Sequence, residues 1–458
     1  MTVEAIYSGG GKFPSPITTV HISDDVYQFP EPTTAIKCNF IYPDALPLPT
    51  ADKNDERVGF AEFNVDGAIA RVPVRLYIQG SSSAHPSVAE KNWNMKFYKT
   101  LDDAKNDEDR AWVKIGKRNE MDKLIFKAWW VEATKAHAYM AFTIWDQMTK
   151  ERKGYPKYEV DNWIVNQTEM PNNFFTGATG SVSVWATVFY VNDEYYGIGD
   201  TISTKDYYNY NLPKNPTDPN QLLWRGHVGS IKTLEDTDNS KNFEPAVPKT
   251  KNWDEERLSK VNRLTSFFIG NDSDFRNNIE SYCDKQNLVD YVLFQQFTMD
   301  WDGIAENMML TYDGNIWYFL PWDKDTTFGS GFKVGDYDPS KPGSGAGQKP
   351  GDDSVMEQDT ATSGWQVLQQ KTIRVFKQEM KERYLELKGK DILTVDNVMD
   401  LMKQHETMYS RVDRKLDMAK WGETDGGYRT EFFSEGADRL LNWINLRIQT
   451  MEAYYGIE

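Results

Sequence analysis

Cysteine and histidine are both scarce in this chain of 458 residues, which has two cysteines and five histidines. Cys38 and Cys283 lie far apart in sequence, which excludes a disulfide framework and a zinc-ligand set. We therefore expect two reduced cysteines in a core. His405 and the other isolated histidines show no metal-ligand spacing, so polar or capping roles are expected for them.

Positive charge is also in deficit, because 52 Lys and Arg residues face 69 Asp and Glu residues and leave a net charge of -17. This balance argues against a nucleic-acid partner and against an anionic membrane surface, since both attract basic proteins. No apolar run reaches the roughly 18 residues that a membrane-spanning helix needs. Residues 1–5 show no secretory signal. The expected location is the cytoplasm, or a coat or virion assembly that incorporates the protein.

Apolar and aromatic residues are plentiful, and their spacing predicts a β-rich N-terminal half. Residues 67–79 carry apolar groups at alternating positions, which predicts a strand ending at the Ser-rich turn 80–83. Residues 93–98 predict a second strand. Residues 122–148 lack Pro and Gly and carry apolar groups at helical spacing, which predicts one long, partly buried helix.

Two hairpins are predicted from turn residues between apolar runs. Residues 182–191 form a strong strand, followed by the turn Asn192–Gly197 and a further strand. Residues 308–321 form a second hairpin about Asp313-Gly314, the strongest short-range hairpin signal in the chain. Helices are predicted for much of the C-terminal half, at 254–269, 273–282, 286–299, 366–386, 394–421 and 434–455.

The order of these elements predicts an α+β fold in two lobes. Residues 1–65 supply N-terminal strands, 66–215 form a β-rich N-terminal lobe with one long helix, and 216–458 form a mainly helical C-terminal lobe. Residues 330–364 are rich in Gly, Ser, Pro and Asp, which indicates either a functional loop or a flexible, disordered insertion.

Candidate catalytic residues cluster around the second hairpin. Asp302 precedes Asn307 by five positions, the spacing of a protein-kinase catalytic loop, and Asp323 follows the hairpin. Phosphoryl transfer needs a carboxylate to orient the attacking hydroxyl, a role that Asp302 can fill. It also needs oxygen ligands for Mg²⁺, which Asn307 and Asp323 can supply if the hairpin brings them together. Asp325 is a second candidate metal ligand, on the same face if the segment is extended.

A structural interpretation of the same residues is available. Asp and Asn at this spacing are common, Asp-Gly is an ordinary turn, and aspartates at strand ends often cap loops. The motif alone therefore favours a structural role. The kinase hypothesis gains support from the order in which strand, Ser-rich turn, Lys-containing strand, helix, hairpin and loop occur.

Several motifs in this order resemble those of the CotH-type (spore coat protein H-like) atypical protein kinases. The family's turn and lysine pattern resembles Gln79–Ser83 with Lys91 and Lys96. Its Tyr-Val-Asn hairpin resembles Tyr190–Gly197. Its Pro-Trp-Asp-x-Asp motif is matched in order by residues 321–329, and this last match is fairly specific.

The resemblance implies an atypical kinase-like fold and an enzyme that transfers the ATP γ-phosphate to Ser or Thr of a protein, with Mg²⁺ or Mn²⁺. Asp302 would be the catalytic-loop carboxylate, and the metal would be held by Asn307 and Asp323, with Asp325 as a further candidate. The residues expected to contact the nucleotide phosphates are Ser81, Ser82, Ser83, Lys91 and Lys96.

The chain departs from the family pattern at positions that matter for nucleotide binding. An Arg is replaced by Gln79, a Tyr by Gly199, a Glu by Ser203, and His137 stands where the family has a further Arg. Charge-assisted hydrogen bonds are roughly twice as strong as neutral ones, so these losses weaken phosphate binding. Glu132 is a possible substitute acid.

Two other functions therefore remain open. The first is a catalytically weak or inactive module with the same fold, with a structural or binding role in a spore coat, cell surface or phage tail, and with an assembly partner in place of a substrate. The second, a carbohydrate-active enzyme, rests only on scattered carboxylates and aromatic residues and ranks last.

Overall fold

A computed structural model describes most of the chain and groups it into two compact units. Unit 1 contains Met1–Tyr139, Ser183–Thr204 and Met402–Gly436, and unit 2 contains Met140–Val182, Lys205–Leu401 and Ala437–Glu458. The residues that the structure describes are 18–19, 21–23, 25–43, 46–81, 83–130, 134–150, 180–210, 212–226, 243–249, 253–300, 303, 307–312, 314–330, 364–422 and 433–457.

Strands dominate the first half of the chain and helices the second. The strands are β1 (Thr18–Thr19), β2 (His21–Ser23), β3 (Val26–Phe29), β4 (Ile36–Ile41), β5 (Glu56–Val65), β6 (Ala68–Ile78), β7 (Trp93–Phe97), β8 (Trp112–Ile115), β9 (Lys123–Lys127), β10 (Val184–Val191), β11 (Glu194–Ser203), β12 (Leu222–Gly226), β13 (Phe243–Val247), β14 (Met308–Tyr312) and β15 (Trp317–Pro321). The α-helices are α1 (Leu101–Asn106), α2 (His137–Lys150), α3 (Glu255–Ile269), α4 (Asp272–Asn278), α5 (Lys285–Thr298), α6 (Gly364–Val375), α7 (Lys377–Gly389), α8 (Val395–Met408), α9 (Arg411–Trp421) and α10 (Phe433–Tyr455).

Seven strands of unit 1 close into a barrel. Their order is β6, β5, β4, β10, β11, β9 and β7, and β7 pairs with β6 to complete the circle. All neighbours are antiparallel except β4 and β10, which are parallel. Closure leaves none of the seven strands with an unpaired edge. The mixed composition confirms the predicted α+β class, the barrel was not predicted, and the kinase-like two-lobed arrangement stays a prediction.

Alternating side chains of the barrel strands form an aromatic core. Trp93, the first residue of β7, is almost fully buried, and its ring lies 6.0 Å from that of Tyr196 on β11. Phe126 and Phe189 stack at 4.7 Å on strands that are not paired with each other. The period-2 pattern of the sequence thus places alternate residues of each strand in one core, as it does in small barrels generally.

The hairpin of β10 and β11 is confirmed, but its turn is shorter than the predicted Asn192–Gly197, because β11 begins at Glu194. Asn192 and Asp193 both adopt positive φ angles, of 49° and 65°, which a two-residue hairpin turn of this hand requires. Their side chains then bond back to β4 and its end. The Asn39 amide donates to Asp193 at 2.7 Å, and the Tyr42 N–H donates to the Asn192 side chain at 3.0 Å.

The single long helix predicted over 122–148 is wrong in its first half. Residues 123–127 form β9, which pairs with both β7 and β11 inside the barrel, and the helix begins only at His137. Helical and strand spacing cannot be separated in the run Leu124-Ile125-Phe126, and barrel closure decides in favour of the strand. Trp129 and Lys135 adopt positive φ angles, 45° and 59°, which an α-helix does not contain.

Unit 2 combines helices with a four-stranded sheet of order β13, β12, β14 and β15. Helices at the predicted positions 254–269, 286–299 and 434–455 are confirmed as α3, α5 and α10. The helix predicted over 366–386 is divided at Phe376. In the described ranges, no helix combines the length and the apolarity that crossing a bilayer requires.

The helix predicted over 394–421 is likewise two helices, α8 and α9. Ser410 separates them as the N-cap of α9, because its hydroxyl accepts from the Asp413 N–H and the Asp413 carboxylate accepts from the Ser410 N–H. This capping box satisfies backbone groups that a continuous helix would have bonded internally.

Gly199 occupies a position in β11 where a larger residue does not fit. A Cβ added there would lie 2.1 Å from the Lys127 carbonyl oxygen of the paired strand β9. We expect Gly199→Ala to lower the free energy of unfolding by about 1–3 kcal/mol, because overpacked cores must shift backbone. Urea unfolding followed by circular dichroism measures this change.

Gly389→Ala is the matched control for Gly199→Ala. Gly389 ends α7, and no atom lies within 4 Å of a Cβ added there. Alanine is also the better helix former, so this variant should be neutral or slightly stabilising. Equal unfolding midpoints for the two variants would contradict the packing argument at Gly199.

Candidate functional site

Asn307 and Asp323 lie at the open end of the β14–β15 hairpin. The two strands pair in antiparallel register, with Met308 opposite Pro321 as the last pair. One residue farther out, the Trp322 N–H donates to the Asn307 carbonyl oxygen at 3.2 Å. The hairpin therefore brings the Asn307 and Asp323 segments side by side, as their spacing predicted.

The backbone turns sharply at Asp323. Its φ angle of 53° is left-handed, a conformation that Asp adopts more readily than most residues because its side chain can bond locally. Asp323 and Asp325 are half-buried, whereas the Asn307 side chain is almost completely buried. The three predicted metal ligands thus lie within two short segments that the hairpin holds together.

A buried ion pair stands between these segments. The Lys324 ammonium lies 2.6 Å from an Asp300 carboxylate oxygen, and both side chains are fully buried. The same ammonium donates to the Asn307 carbonyl oxygen at 2.9 Å. Sequence reasoning missed both partners. Lys324 lies inside the 321–329 motif but fills its variable position, and Asp300 lies two residues before the predicted catalytic residue, so neither was singled out.

The end of α5 places Asp300 for this contact. Met299, at the C-cap, adopts a left-handed φ of 49° and its N–H donates to the Gln295 carbonyl. The Asp300 N–H donates to the same carbonyl at 3.1 Å. One Asp300 carboxylate oxygen accepts from the Gly303 N–H at 3.1 Å. The Asp300 carboxylate thus bonds the backbone of Gly303, the residue after the predicted catalytic residue.

The electrostatics of Asp300 reflect this crowded site. Burial raises the pKa of Asp300, and the Lys324 ammonium opposes the rise. The Asp323 charge adds to the increase in pKa, so the carboxylates of Asp300 and Asp323 are close enough to repel each other.

Asp302, the predicted catalytic residue, lies outside the described residues, and so do Ser82 and Glu132. Gly303, next to Asp302, is described and fully enclosed. The Tyr291 hydroxyl donates to the Gly303 carbonyl at 2.8 Å.

The predicted nucleotide-side residues belong to unit 1, and the described ones bond within the protein. The Ser83 hydroxyl accepts from the Asn92 N–H at 2.7 Å, and the exposed Ser81 accepts from Lys53 at 2.7 Å. The Lys91 ammonium donates to the His85 carbonyl at 2.9 Å, and burial lowers the pKa of Lys91. Ser81, Ser83 and Lys91 are thus engaged in hydrogen bonds within unit 1.

Lys96 is also bound to a protein partner. Its ammonium lies 2.9 Å from the Asp107 carboxylate, which accepts a short hydrogen bond from Tyr98 as well. Burial lowers the pKa of Lys96, and the contacts with Asp107 partly offset this effect. A phosphate that reaches Lys96 would have to compete with Asp107.

One departure from the family pattern, Ser203, has a structural explanation in unit 1. Ser203 is fully buried, and its hydroxyl accepts from the Ser183 N–H at 3.0 Å, so the position closes a strand end. An acidic residue is nevertheless buried in the same unit, since the Glu90 carboxylate pairs with the ammonium of Lys135 at 2.9 Å. Sequence reasoning missed this pair, because no motif joins Glu90 to Lys135.

The predicted metal ligands fit a hard cation by their chemistry. Asn307, Asp323 and Asp325 offer only oxygen donors, which Mg²⁺ and Mn²⁺ prefer. Within the described parts of the chain, no three His, Cys, Asp or Glu residues are grouped closely enough to hold a metal ion. Mg²⁺ commonly uses one or two carboxylates together with water and substrate phosphates, so this observation is compatible with a nucleotide-dependent metal site.

The Asp107 carboxyl gives a testable pH dependence. Burial raises its pKa, but hydrogen bonds from Tyr98 and Lys96 outweigh burial and lower the pKa to about 2. The stabilisation from the pair is therefore complete above the ordinary pKa of about 3.9 and is lost as the pH falls toward 2. We expect Lys96→Met to raise the Asp107 pKa toward its ordinary value in an NMR titration of the carboxyl carbon.

Lys105→Met is the control for this titration. Lys105 pairs with Asp102 at 3.0 Å on the exposed face of α1, so its loss should leave the Asp107 pKa in place. An Asp107 pKa that does not change in Lys96→Met would refute the assigned partner.

Comparison with known proteins identifies the family. A family model described as CotH kinase protein matches residues 76–451, which is most of the chain and includes every predicted site residue. No match is found among curated proteins. The extent of the family match decides the classification, and the chain therefore belongs to the CotH kinase family.

Proposed function

We propose that the protein transfers the γ-phosphate of ATP to Ser or Thr residues of a protein substrate, with Mg²⁺ or Mn²⁺ as cofactor. One observation carries the proposal: the β14–β15 hairpin, joined by the Trp322 to Asn307 hydrogen bond, brings the segments of the metal-ligand candidates together. Family membership supports a kinase-like protein and, with it, a kinase-like two-lobed fold.

Each site residue has a defined task in this reaction. Asp302 orients the substrate hydroxyl and accepts its proton. Asn307 and Asp323 hold the metal through side-chain oxygens, with Asp325 as a further ligand. When bound, the metal ion neutralises charge on the nucleotide phosphates. Preorganisation of the hairpin means that little reordering accompanies binding on this side.

Phosphate contacts on the nucleotide side are assigned by the family resemblance. Ser81, Ser82 and Ser83 form the turn, and Lys91 and Lys96 supply positive charge. To contact phosphate, the Lys96 ammonium must release the Asp107 carboxylate, so one anionic partner replaces another. Because the phosphates of ATP carry more negative charge than a carboxylate, this exchange favours the nucleotide.

Radiolabel transfer from γ-labelled ATP tests the catalytic assignment. With Mg²⁺ or Mn²⁺ and a generic protein acceptor, Asp302→Ala should label at a rate roughly two to four decades below the wild-type protein, because a positioned base is lost. Asp396→Asn, at an exposed position of α8, should label at the wild-type rate. Equal labelling by Asp302→Ala and wild type would refute the role of Asp302.

A second candidate function is a structural or binding module with the same fold, in a spore coat, cell surface or phage tail. The observation that favours it is the engagement of Lys91 by the His85 carbonyl and of Lys96 by Asp107. Both predicted phosphate-binding cations are thus already bonded within the protein. In this case the partner is an assembly protein, and the acidic charge disfavours nucleic acid.

Thermal unfolding with and without nucleotide discriminates the two functions. Ligands that bind only the folded protein stabilise it by about 2.7 kcal/mol at 100 times their Kd. For the kinase we therefore expect ATP with Mg²⁺ to raise the melting temperature by several degrees, and Lys96→Met to reduce this rise. A melting temperature that ATP and Mg²⁺ leave unchanged would favour the structural module.

A further inference from the structure

The Asp300–Lys324 pair connects three backbone segments of unit 2 at one point. Lys324 lies in the segment after β15, and its ammonium bonds Asp300 after α5 and the Asn307 carbonyl before β14. Asp300 in turn accepts from the Gly303 N–H. Every one of these segments contains or adjoins a residue of the proposed site.

The side chains of Asp300 and Lys324 pack directly against Gly303. A Cβ added to Gly303 would lie 1.8 Å from an Asp300 carboxylate oxygen and 2.4 Å from the Lys324 nitrogen. The Gly303 carbonyl is bonded on its other side by Tyr291. The backbone next to Asp302 is therefore fixed by hydrogen bonds from both of its polar groups.

A buried ion pair contributes little net folding stability by itself, because both charges lose their hydration. Moving two charges out of water costs several kcal/mol per ion, which mutual attraction repays only when the geometry and further hydrogen bonds are good. Here the additional bonds are made to Asn307 and Gly303, not to remote parts of the core. The desolvated pair thus lies where its bonds hold the segments of the proposed site.

We propose that Asp300 and Lys324 are positioning residues that hold Asn307 and Asp323 in place for a divalent, oxygen-preferring cation. The inference rests on the proposed function, since it concerns the same metal site. Neither residue contacts the cation itself. Partners of this kind, which orient the ligands of a metal, typically contribute roughly 10- to 100-fold to metal affinity.

A second buried pair in unit 2 provides the comparison. Asp290 and Arg383 lie 2.8 Å apart, both nearly fully buried, and Arg383 also donates to the Met148 carbonyl at 3.0 Å. This pair joins α5 to α7 and bonds to none of the proposed metal ligands. It is therefore as buried and as charged as the Asp300–Lys324 pair, but it lies away from the proposed metal ligands.

The test measures Mn²⁺ binding directly, by the loss of the free-ion EPR signal, with and without ADP. The double variant Asp300→Asn/Lys324→Met removes both charges with little change of shape, so that no charge is left buried alone. We expect its Kd for Mn²⁺ to rise roughly 10- to 100-fold. Gly303→Ala, which keeps both charges but displaces them, should raise the Kd in the same direction.

The control double variant, Asp290→Asn/Arg383→Met, should bind Mn²⁺ with the wild-type Kd. Urea unfolding and hydrogen exchange accompany each titration, and exchange at Asp300, Gly303 and 307–312 should increase in Asp300→Asn/Lys324→Met and not in the control. A folded Asp300→Asn/Lys324→Met protein with the wild-type Kd overturns the inference while leaving the proposed function intact. A wild-type protein that binds no Mn²⁺ with or without ADP overturns the proposed metal site and the inference with it.

Discussion

The register of the β14–β15 hairpin is the constraint on which the candidate site depends. Met308, the first residue of β14, stands opposite Pro321, the last residue of β15. The segment that precedes β14, with Asn307, therefore lies beside the segment that follows β15, with Asp323. A slip of one residue would turn every side chain of the strand to the other face of the sheet. The buried Lys324 ammonium adds a further bond across the hairpin end, to the Asn307 carbonyl at 2.9 Å.

Buried charge recurs in the described parts of both units, each time joining segments far apart in sequence. In unit 1, Asp200 of β11 accepts from Trp129 and bonds His405 of α8 at 2.8 Å. Glu90 and Lys135 pair where the chain leaves the barrel for α2. Such pairs add little net stability over apolar residues of the same volume. Their directional bonds are nevertheless satisfied by few arrangements, so they select one packing among several that hydrophobic burial would allow.

Local sequence signals predicted the hairpins well, and long-range closure lay beyond them. The predicted turn Asn192–Gly197 and the Asp313-Gly314 pair each separate two apolar runs, so the pairing of β10 with β11 and of β14 with β15 could be predicted from short segments, although β11 begins inside the predicted turn. Barrel closure could not, because it depends on β9 pairing with two strands distant in sequence. The run Leu124-Ile125-Phe126 suits a helix or a strand equally well until its partners are known.

The candidate site divides in the same way. Asn307 and Asp323 were predictable because a single hairpin joins them. The Asp300–Lys324 contact was not, because Lys324 fills the variable position of the 321–329 motif and only the fold shows that it is buried against Asp300. The bonds of Lys91 and Lys96 were equally hidden, since the sequence does not indicate that His85 and Asp107 receive them.

The predicted metal ligands in unit 2 and the predicted phosphate-binding lysines in unit 1 therefore differ in their surroundings. The segments of Asn307 and Asp323 are held by backbone pairing and by the Asp300–Lys324 pair, contacts that would stay in place in the proposed cation complex. In unit 1, Lys96 already has an anionic partner in Asp107, so the proposed phosphate contact would require an exchange. The exchange would break the Lys96–Asp107 pair, which is partly exposed and therefore weak. It would form a contact between Lys96 and a phosphate of higher negative charge.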